Sequence, residues 1–535
     1  MDEYIDKITD LTDRYVSSIT VFTTEKSDPY NKEYIAPSAI SIRKTLIITS
    51  VCFNPFSRNY RSASLLKAAS EYLNNAIALV NKGMYEPVSF CMSVIHASYV
   101  YRLAEKYTKE LFTHDTHIGK DLQRAALDYI EGAKPLIQSL KEDTVFKYAA
   151  LIHCARDMED NNLKQCVKEM KERVRDEEYF SVQYLQALCD IHNETKDKQY
   201  LKKALNVMTS VLKLTEPDNT VIDLKEEKNN LDKRSATVYL WDYIDSLLYL
   251  AFTDNNESLC NVLSYVFDLI DENRCPKSSD NVLLLPVFTL LNKKLFSIIL
   301  HKTTKSKALS AFNGFVGDNV YRHGTGTYIS QTVSKEQDTF YTMQCGNLKV
   351  RLRFNTTYFG PRGRFRSDVL EETDTGLRLR YIREWGYWLP LEDRSVPAII
   401  GQDVNKVDRT MTNLQHIDMQ ADIKFLDNGA DITISIKGTD GLATKLDLIF
   451  EKHGLFDCDY ASTQAAGNDF IQLQQGNFTY TAGSDRITAG PAFNELSIGS
   501  EGLRGSNPPI ENSFTVYFTG MTPSVHTVRI RGDRI

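Results

Sequence analysis

TTKSKALSAFN, residues 303–313, is the stretch on which the fold turns. It is short and largely polar, and the spacing of apolar residues differs on its two sides. Upstream, Leu65, Leu66, Ala69, Tyr72, Leu73, Ala76 and Val80 return every three or four positions, which puts them on one face of a helix. Leu201, Leu205, Met208 and Leu212 repeat the period, and Glu216-Pro217-Asp218-Asn219 then supplies turn chemistry that stops that helix. Roughly a dozen such segments fit the pattern before residue 302. No heptad run is long enough for a coiled coil, and no short repeat marks a solenoid. Successive antiparallel helix pairs, able to close into a ring, are the simplest packing.

Downstream the pattern alternates. Leu348 to Phe354, Leu377 to Ile382, Asp431 to Ile436, Lys445 to Phe450 and Ser513 to Phe518 read as strands. Asp427-Asn428-Gly429 predicts a hairpin, because Asn-Gly supplies the positive φ angles of a tight primed turn. More than two hundred residues of this texture imply stacked antiparallel sheets. The expected organisation is therefore α then β: an all-helical domain over residues 1–305 and a large antiparallel β-sandwich over 306–535.

Composition narrows the function. The chain has 535 residues, 42% hydrophobic and 25% charged, the balance of an ordinary globular protein. Its formal charge of -7 argues against a general nucleic-acid binder, which needs a basic surface to neutralise phosphates. The opening MDEYIDKITDLTDRY carries acids where an export signal would carry a basic start and an apolar core, so a cytoplasmic start is expected. No segment reaches membrane-spanning length without charge. Nine scattered cysteines, with no CxxC pair, indicate neither a disulfide framework nor a zinc ribbon. Gly-Lys-Ser phosphate loops, nucleophile elbows and HExxH helices are all missing.

Several phrases, in order, resemble the heparinase II/III-like and related polysaccharide lyases. In the helical half these are Tyr200-Leu201 leading to Glu216-Pro217-Asp218-Asn219, then Lys233-Arg234 and an aromatic helix from Tyr239 to Tyr249. In the sheet half they are Tyr358-Phe359-Gly360 through Phe365, and Gly386-Tyr387-Trp388-Leu389-Pro390-Leu391. Gly476-Asn477-Phe478-Thr479-Tyr480, Asp485-Arg486-Ile487 and Phe518-Thr519-Gly520-Met521-Thr522-Pro523 are similar to that domain's ending. The resemblance implies an (α/α) toroid, complete or incomplete, followed by a β-sandwich. It also implies cleavage of uronate-containing glycans by β-elimination, with acidic fragments imported by a bacterium as the expected substrate. One departure stands out: such lyases often carry an Asn-His pair on a mid-toroid helix, whereas Tyr148 to Arg156 reads YAALIHCAR, with no Asn beside His153.

β-Elimination sets three tasks: neutralise the sugar carboxylate, remove the neighbouring proton, and protonate the leaving oxygen. Tyr, His, Arg and Asn suit them. The densest cluster is Tyr321-Arg322-His323-Gly324-Thr325-Gly326-Thr327-Tyr328, where Tyr321 or His323 would act as base or acid and Arg322 would grip a carboxylate with its planar fork. The alternative is a turn entering the first strand, with Arg322 solvated. The two glycines make no dinucleotide fingerprint, since no strand-turn-helix unit surrounds them. Arg362, Arg364 and Arg366 lie in a basic stretch whose face either binds an acidic sugar chain or pairs with Asp368, Glu371, Glu372 and Asp374. Trp385 and Trp388 offer ring surfaces for sugars or for the sandwich core.

In the helical half, Arg234, Tyr239, Trp241 and Tyr243 fall on one late helix, with 239 and 243 sharing a face, and His153 neighbours Arg156 on another; ordinary helix packing is the competing reading for both. His114-Asp115-Thr116-His117 is taken as a polar loop rather than a metal site. No cofactor is required by this chemistry, and a structural metal is left unassigned. The expected partner is an acidic oligosaccharide or polysaccharide, not nucleic acid or membrane, and homo-oligomerisation is left open. The rivals are a glycoside hydrolase on a similar toroid, with Asp242 and Glu384 among many eligible acids, and a noncatalytic carbohydrate-binding protein.

Overall fold

The computed structural model describes residues 2–22, 37–81, 86–111, 116–158, 163–174, 181–222, 238–271, 280–292, 304–309, 311–325, 327–389, 411–451, 453–465, 469–498, 502–510 and 512–535. It divides into a helical unit, Met1–Leu212 with Val238–Leu309, and a sheet unit, Lys213–Thr237 with Ser310–Ile535. Among the described residues no helix is long and apolar enough to cross a membrane.

The helices are α1 (Asp2–Phe22), α2 (Pro37–Phe53), α3 (Ala63–Asn81), α4 (Pro87–Leu111), α5 (Thr116–Gln138), α6 (Val145–Asp157), α7 (Leu163–Arg173), α8 (Val182–Thr195) and α9 (Lys198–Lys213). A 3-10 turn at Leu240–Tyr243 leads into α10 (Ile244–Asp254), followed by α11 (Glu257–Asp271), α12 (Asp280–Leu291) and the short α13 (Lys305–Ala308). Within the unit α2 packs on α4, α4 on α6, α6 on α8, α8 on α10, α10 on α12, and α12 returns to α2. The neighbour order is thus a closed cycle. Between these helices α3 packs on α2 and α5, α7 on α6 and α11 on α10.

The sequence of each helix suits its place. On α6 every residue but Arg156 is buried, as befits a helix without a polar face. Its N-cap is Thr144, whose hydroxyl accepts from the Lys147 N–H at 3.2 Å. On α9 only Tyr200, Ala204, Val207, Met208 and Val211 are buried, a single stripe at helical spacing. α8 starts at a Ser181 cap that accepts from the Tyr184 N–H at 3.2 Å. It stops where Lys196 turns left-handed (φ 58) and its N–H donates to the His192 carbonyl at 2.8 Å.

The sheet unit holds β1 (Phe312–Val316), β2 (Val320–Thr325), β3 (Ile329–Ser334), β4 (Thr339–Cys345), β5 (Leu348–Thr356), β6 (Val369–Thr373), β7 (Gly376–Trp388), β8 (Met411–Leu426) and β9 (Gly429–Gly438). It continues with β10 (Ala443–Glu451), β11 (Leu455–Cys458), β12 (Ala461–Gln464), β13 (Phe470–Gln472), β14 (Phe478–Ala482), β15 (Asp485–Gly490), β16 (Ser513–Met521) and β17 (Ser524–Arg534). One sheet runs β1-β2-β3-β4-β5-β10-β16-β13 and the other β12-β11-β14-β15-β17-β9-β8-β7-β6. Pairing is antiparallel except between β13 and β16. Their inner faces share one core, with Leu352, Phe354, Leu448 and Phe514 from the first sheet against Leu379, Ile434, Ile487 and Val528 from the second.

The β8–β9 hairpin forms where Asp427-Asn428-Gly429 foretold it, but the turn sits one residue earlier. Gly429 already pairs with Leu426, so Asp427 and Asn428 alone make the bend, and neither has a positive φ. The glycine serves another need: a Cβ on Gly429 (φ 151) would fall well inside van der Waals contact of the Ile530 carbonyl on β17. Gly429→Ala is therefore expected to destabilise the sheet unit by about 2–3 kcal/mol, near the top of the usual range for single substitutions. The shift in its urea midpoint checks this; an unchanged midpoint would show that β17 yields freely.

Candidate active site

A cavity of about 440 Å³ opens within the helical unit, walled by α4, α6, α8, α10 and the end of α12. Helical spacing builds it. Gln186, Asp190, Asn193 and Glu194 recur at four, three and one residues along α8 and share one face. His96, Tyr99 and Arg102 do the same on α4, and Asp245, Ser246 and Tyr249 stand on the first turns of α10. Polar groups on otherwise buried helices therefore converge on one space.

The floor is acidic. Tyr99 donates its hydroxyl hydrogen bond to Asp190, and Gln186 donates to Asp245. Burial lifts the Asp190 carboxyl to about 7, with the neighbouring Asp245 charge adding to it against the Tyr99 hydrogen bond and Arg102. Burial likewise lifts Asp245 to about 6, opposed mainly by the Gln186 hydrogen bond. The Tyr99 phenol is pushed well above its ordinary value by burial and by Asp190. His96 is held down at about 3 by burial and by the Arg43 charge, so its imidazole is neutral. On α10, Tyr249 meets the Nδ1 of His192 at 2.7 Å, and the nearby Asp190 contributes to raising its phenol after burial and Cys189.

The cations form a second layer. Arg102 donates to Asp157 at 2.9 Å through Nε and to Glu194 at 2.8 Å through Nη1. Arg156 pairs with the other oxygen of Glu194, whose side chain is almost wholly buried. Lys196, just past the end of α8, adds a third cation to the wall, its ammonium depressed by partial burial and by Arg156. The cavity thus sets three carboxyls, the partly protonated Asp190 and Asp245 and the ion-paired Glu194, against three cations, two of which Glu194 holds in place.

His153, singled out in the sequence, lies directly behind this wall. It is buried, its ring is edge-on to Tyr99 at 5.6 Å, and its Nδ1 lies 3.1 Å from Nη2 of Arg102 and 3.0 Å from the Ser98 hydroxyl. Because a guanidinium only donates, Nδ1 must accept, which leaves the proton on Nε2. Tyr239 and Tyr243 do not line the cavity. Tyr239 stacks on Trp241 at 4.4 Å, Tyr243 is buried in the 3-10 turn, and Asp242 caps that turn by accepting from the Tyr239 N–H at 2.8 Å. Arg234, His114 and Asp115 lie outside the described residues, and His117 belongs to the first turn of α5 rather than to a loop.

In the sheet unit the contiguous cluster at 321–323 is split by strand alternation. Tyr321 and His323 share one face of β2 and stack on Phe425 at 5.6 Å and 4.5 Å. Burial moves the His323 imidazole down, against Asp427, and the Tyr321 phenol up. Arg322 faces the other way and is completely buried. Its fork does grip a carboxylate with both hands, but the carboxylate is the chain's own Glu216, at 2.9 Å and 3.2 Å. Thr332 and the Lys213 and Thr215 carbonyls complete the guanidinium's partners, while Ser330 donates to Glu216. Burial would raise Glu216; Arg322, Lys349 and these hydrogen bonds outweigh it, and its carboxyl lies below the usual value. This ion pair binds the turn after α9 into the sheet unit.

The remaining arginines mostly have partners close by. Arg362 lies over the Trp385 ring at 3.6 Å, Arg364 donates to the Gly505 and Ser506 carbonyls at 3.0 Å and 3.2 Å, and Arg366 holds Asp338 at 2.5 Å and 2.8 Å. Arg378 and Arg380 pair with Asp422 and Asp418 on β8, and Arg383 with Asp368. Trp385 and Trp388 meet edge to face at 6.1 Å, with Trp385 packed partly against the sandwich core. Glu384 is exposed on β7. Among the described residues no group of three or more His, Cys, Asp or Glu is placed to hold a metal ion.

No family model matches the sequence, and no curated protein matches it. Among solved structures the chain is similar to a heparan sulfate lyase HepC mutant from Pedobacter heparinus, with a TM-score of 0.44 at 8% identity over 96% of this chain and 85% of that one. It is also similar to chondroitinase AC lyase, described in enzyme-oligosaccharide complexes, with a TM-score of 0.43 at 9% identity over 99% of this chain and 82% of that one. Both are polysaccharide lyases, the group that the ordered sequence phrases resemble.

Proposed function

We propose that the helical cavity is the active site of a carbohydrate-active lyase that cleaves uronate-containing glycans by β-elimination. The observation that carries the reading is the Tyr99–Asp190 hydrogen bond, with a carboxyl poised at about 7, in a cavity whose wall also presents Arg102, Arg156 and Lys196. The closed cycle of α2, α4, α6, α8, α10 and α12 supports a complete (α/α) toroid around it.

In this mechanism the cationic wall attracts the sugar carboxylate, and Asn193 or Gln186 offers amide donors to it. Tyr99 takes the proton from the carbon beside that carboxylate while handing its own proton to ionised Asp190. The electron pair of the broken C–H bond forms the new C=C bond, the bond to the oxygen on the neighbouring carbon breaks, and Tyr249 gives that oxygen a proton. His192 holds the Tyr249 hydroxyl in place. Asp190 must be ionised to accept, so kcat/KM rises with pH through about 7 and levels off above it.

A second reading, glycoside hydrolysis, is favoured by a specific feature: Asp190 and Asp245 share the cavity and both stay partly protonated near neutrality, as an acid–base pair needs. The experiment is a panel of uronate-containing and neutral glycans followed by ultraviolet absorbance and by reducing-end release. The lyase reading predicts rising absorbance on uronates only. New reducing ends without absorbance would replace it with the hydrolase, and sugar binding with neither signal would leave a noncatalytic binder.

A further inference from the structure

A second cavity, of about 370 Å³, lies among α5, α6 and α7, outside the site described above. Its charged lining is Lys134, Lys147 and Arg173 against Glu169, and even with Asp143 paired to Lys147 a positive charge is left over, in a chain whose net charge is -7. We propose that this cavity binds a compact dianion, a phosphate monoester of a small polyol.

Two features argue for a built site rather than a chance grouping. Lys147 stands in the first turn of α6, where the helix dipole disfavours a cation, and it is nearly buried. It is held there by the Leu140 carbonyl at 2.8 Å and by Asp143 at 3.0 Å. The carboxylates nearby are also engaged: Asp143 accepts from the Tyr148 hydroxyl at 3.2 Å as well as from Lys147, and Glu169 accepts from Gln165 at 2.7 Å. Each is thereby turned toward the chain's own donors. Arg173 brings a planar fork suited to two phosphate oxygens. The Tyr148 ring and Leu151 give the same space an apolar wall for the carbon face of a polyol, and its volume falls within the range of small-molecule sites, about 300–1,000 Å³.

The test is calorimetric titration of the full-length protein with glucose 6-phosphate, glucose 6-sulfate and glucose. Saturable binding of the phosphate, at least about tenfold weaker binding of the sulfate, and none of glucose are expected. Lys134→Gln and Arg173→Gln, neither of which removes a hydrogen bond that holds Lys147, should each weaken phosphate binding by about tenfold or more. Tyr99→Phe, in the first cavity, should leave it unchanged. No saturable binding, equal binding of sulfate and phosphate, indifference to both cation substitutions, or loss on Tyr99→Phe would each overturn the assignment. The proposal does not depend on lyase activity.

Discussion

Asp190→Asn lowers kcat/KM on a uronate substrate by about 10²- to 10⁴-fold, the range that one positioned acid–base group contributes. Asparagine keeps the size and still accepts the Tyr99 hydrogen bond, but it cannot take the proton that Tyr99 must shed. Tyr99→Phe should cost a similar factor, and the double variant little more, because the two act as one unit. Stability moves the opposite way. The Asp190 carboxyl is raised to about 7 when folded, against about 3.9 for an unperturbed aspartate. Between those values the native state binds more protons than the unfolded state, so stability falls as pH rises and the loss is complete above the folded value. Asp190→Asn removes that slope. At pH 8 the variant should resist urea better than the wild type while being nearly inactive, a combination that a merely structural aspartate would not give. A variant both inactive and less stable at pH 8 would argue that Asp190 holds the helices together instead.

Arg322→Ala destabilises the sheet unit by about 3–5 kcal/mol, because it leaves Glu216 charged, buried and without its counter-ion. Removing both charges, as in Arg322→Met with Glu216→Gln, should recover much of the loss, since a buried pair of this kind gains little over well-packed neutral groups. By contrast Arg380→Ala breaks an exposed pair with Asp418, and such solvent-screened pairs contribute little. Urea denaturation of the three variants, read by near-ultraviolet circular dichroism, checks the order. If Arg322→Ala cost no more than Arg380→Ala, the buried pair would not be the anchor of the turn after α9.

Much of this architecture can be read directly from the residues. Period-three-to-four spacing marks α3 and α9, alternation marks β5, β9, β10 and β16, and Glu216-Pro217-Asp218-Asn219 ends α9 as its turn chemistry requires. The position of the β8–β9 bend could not be read so closely, because Gly429 is fixed by the approach of β17, a strand about a hundred residues away in sequence. The candidate site was harder still. Residues 321 to 328 attract attention because reactive types stand side by side, yet in a strand neighbours point to opposite faces, and Arg322 parts from Tyr321 and His323. The cavity residues are dispersed in sequence: Tyr99 on α4 and Asp190 on α8 stand 91 residues apart, with α6 packed between their helices. One signal was present. Gln186, Asp190 and Glu194 put a polar or acidic group at every fourth residue of a helix whose other residues are mainly apolar, and Asp190-Ile191-His192-Asn193-Glu194 concentrates titratable groups at its end. A single amphipathic helix on a protein surface looks the same, so the signal becomes specific only when α4 and α10 are seen to face it.

The central claim, that chemistry belongs to the cavity of the helical unit, is tested most directly by one measurement: the initial rate of ultraviolet absorbance on a uronate oligosaccharide for Tyr99→Phe beside His323→Ala. Loss of at least about 100-fold in the first, with the second near the wild-type rate, is the predicted result. A full rate in Tyr99→Phe together with loss in His323→Ala would contradict it and move the site to β2.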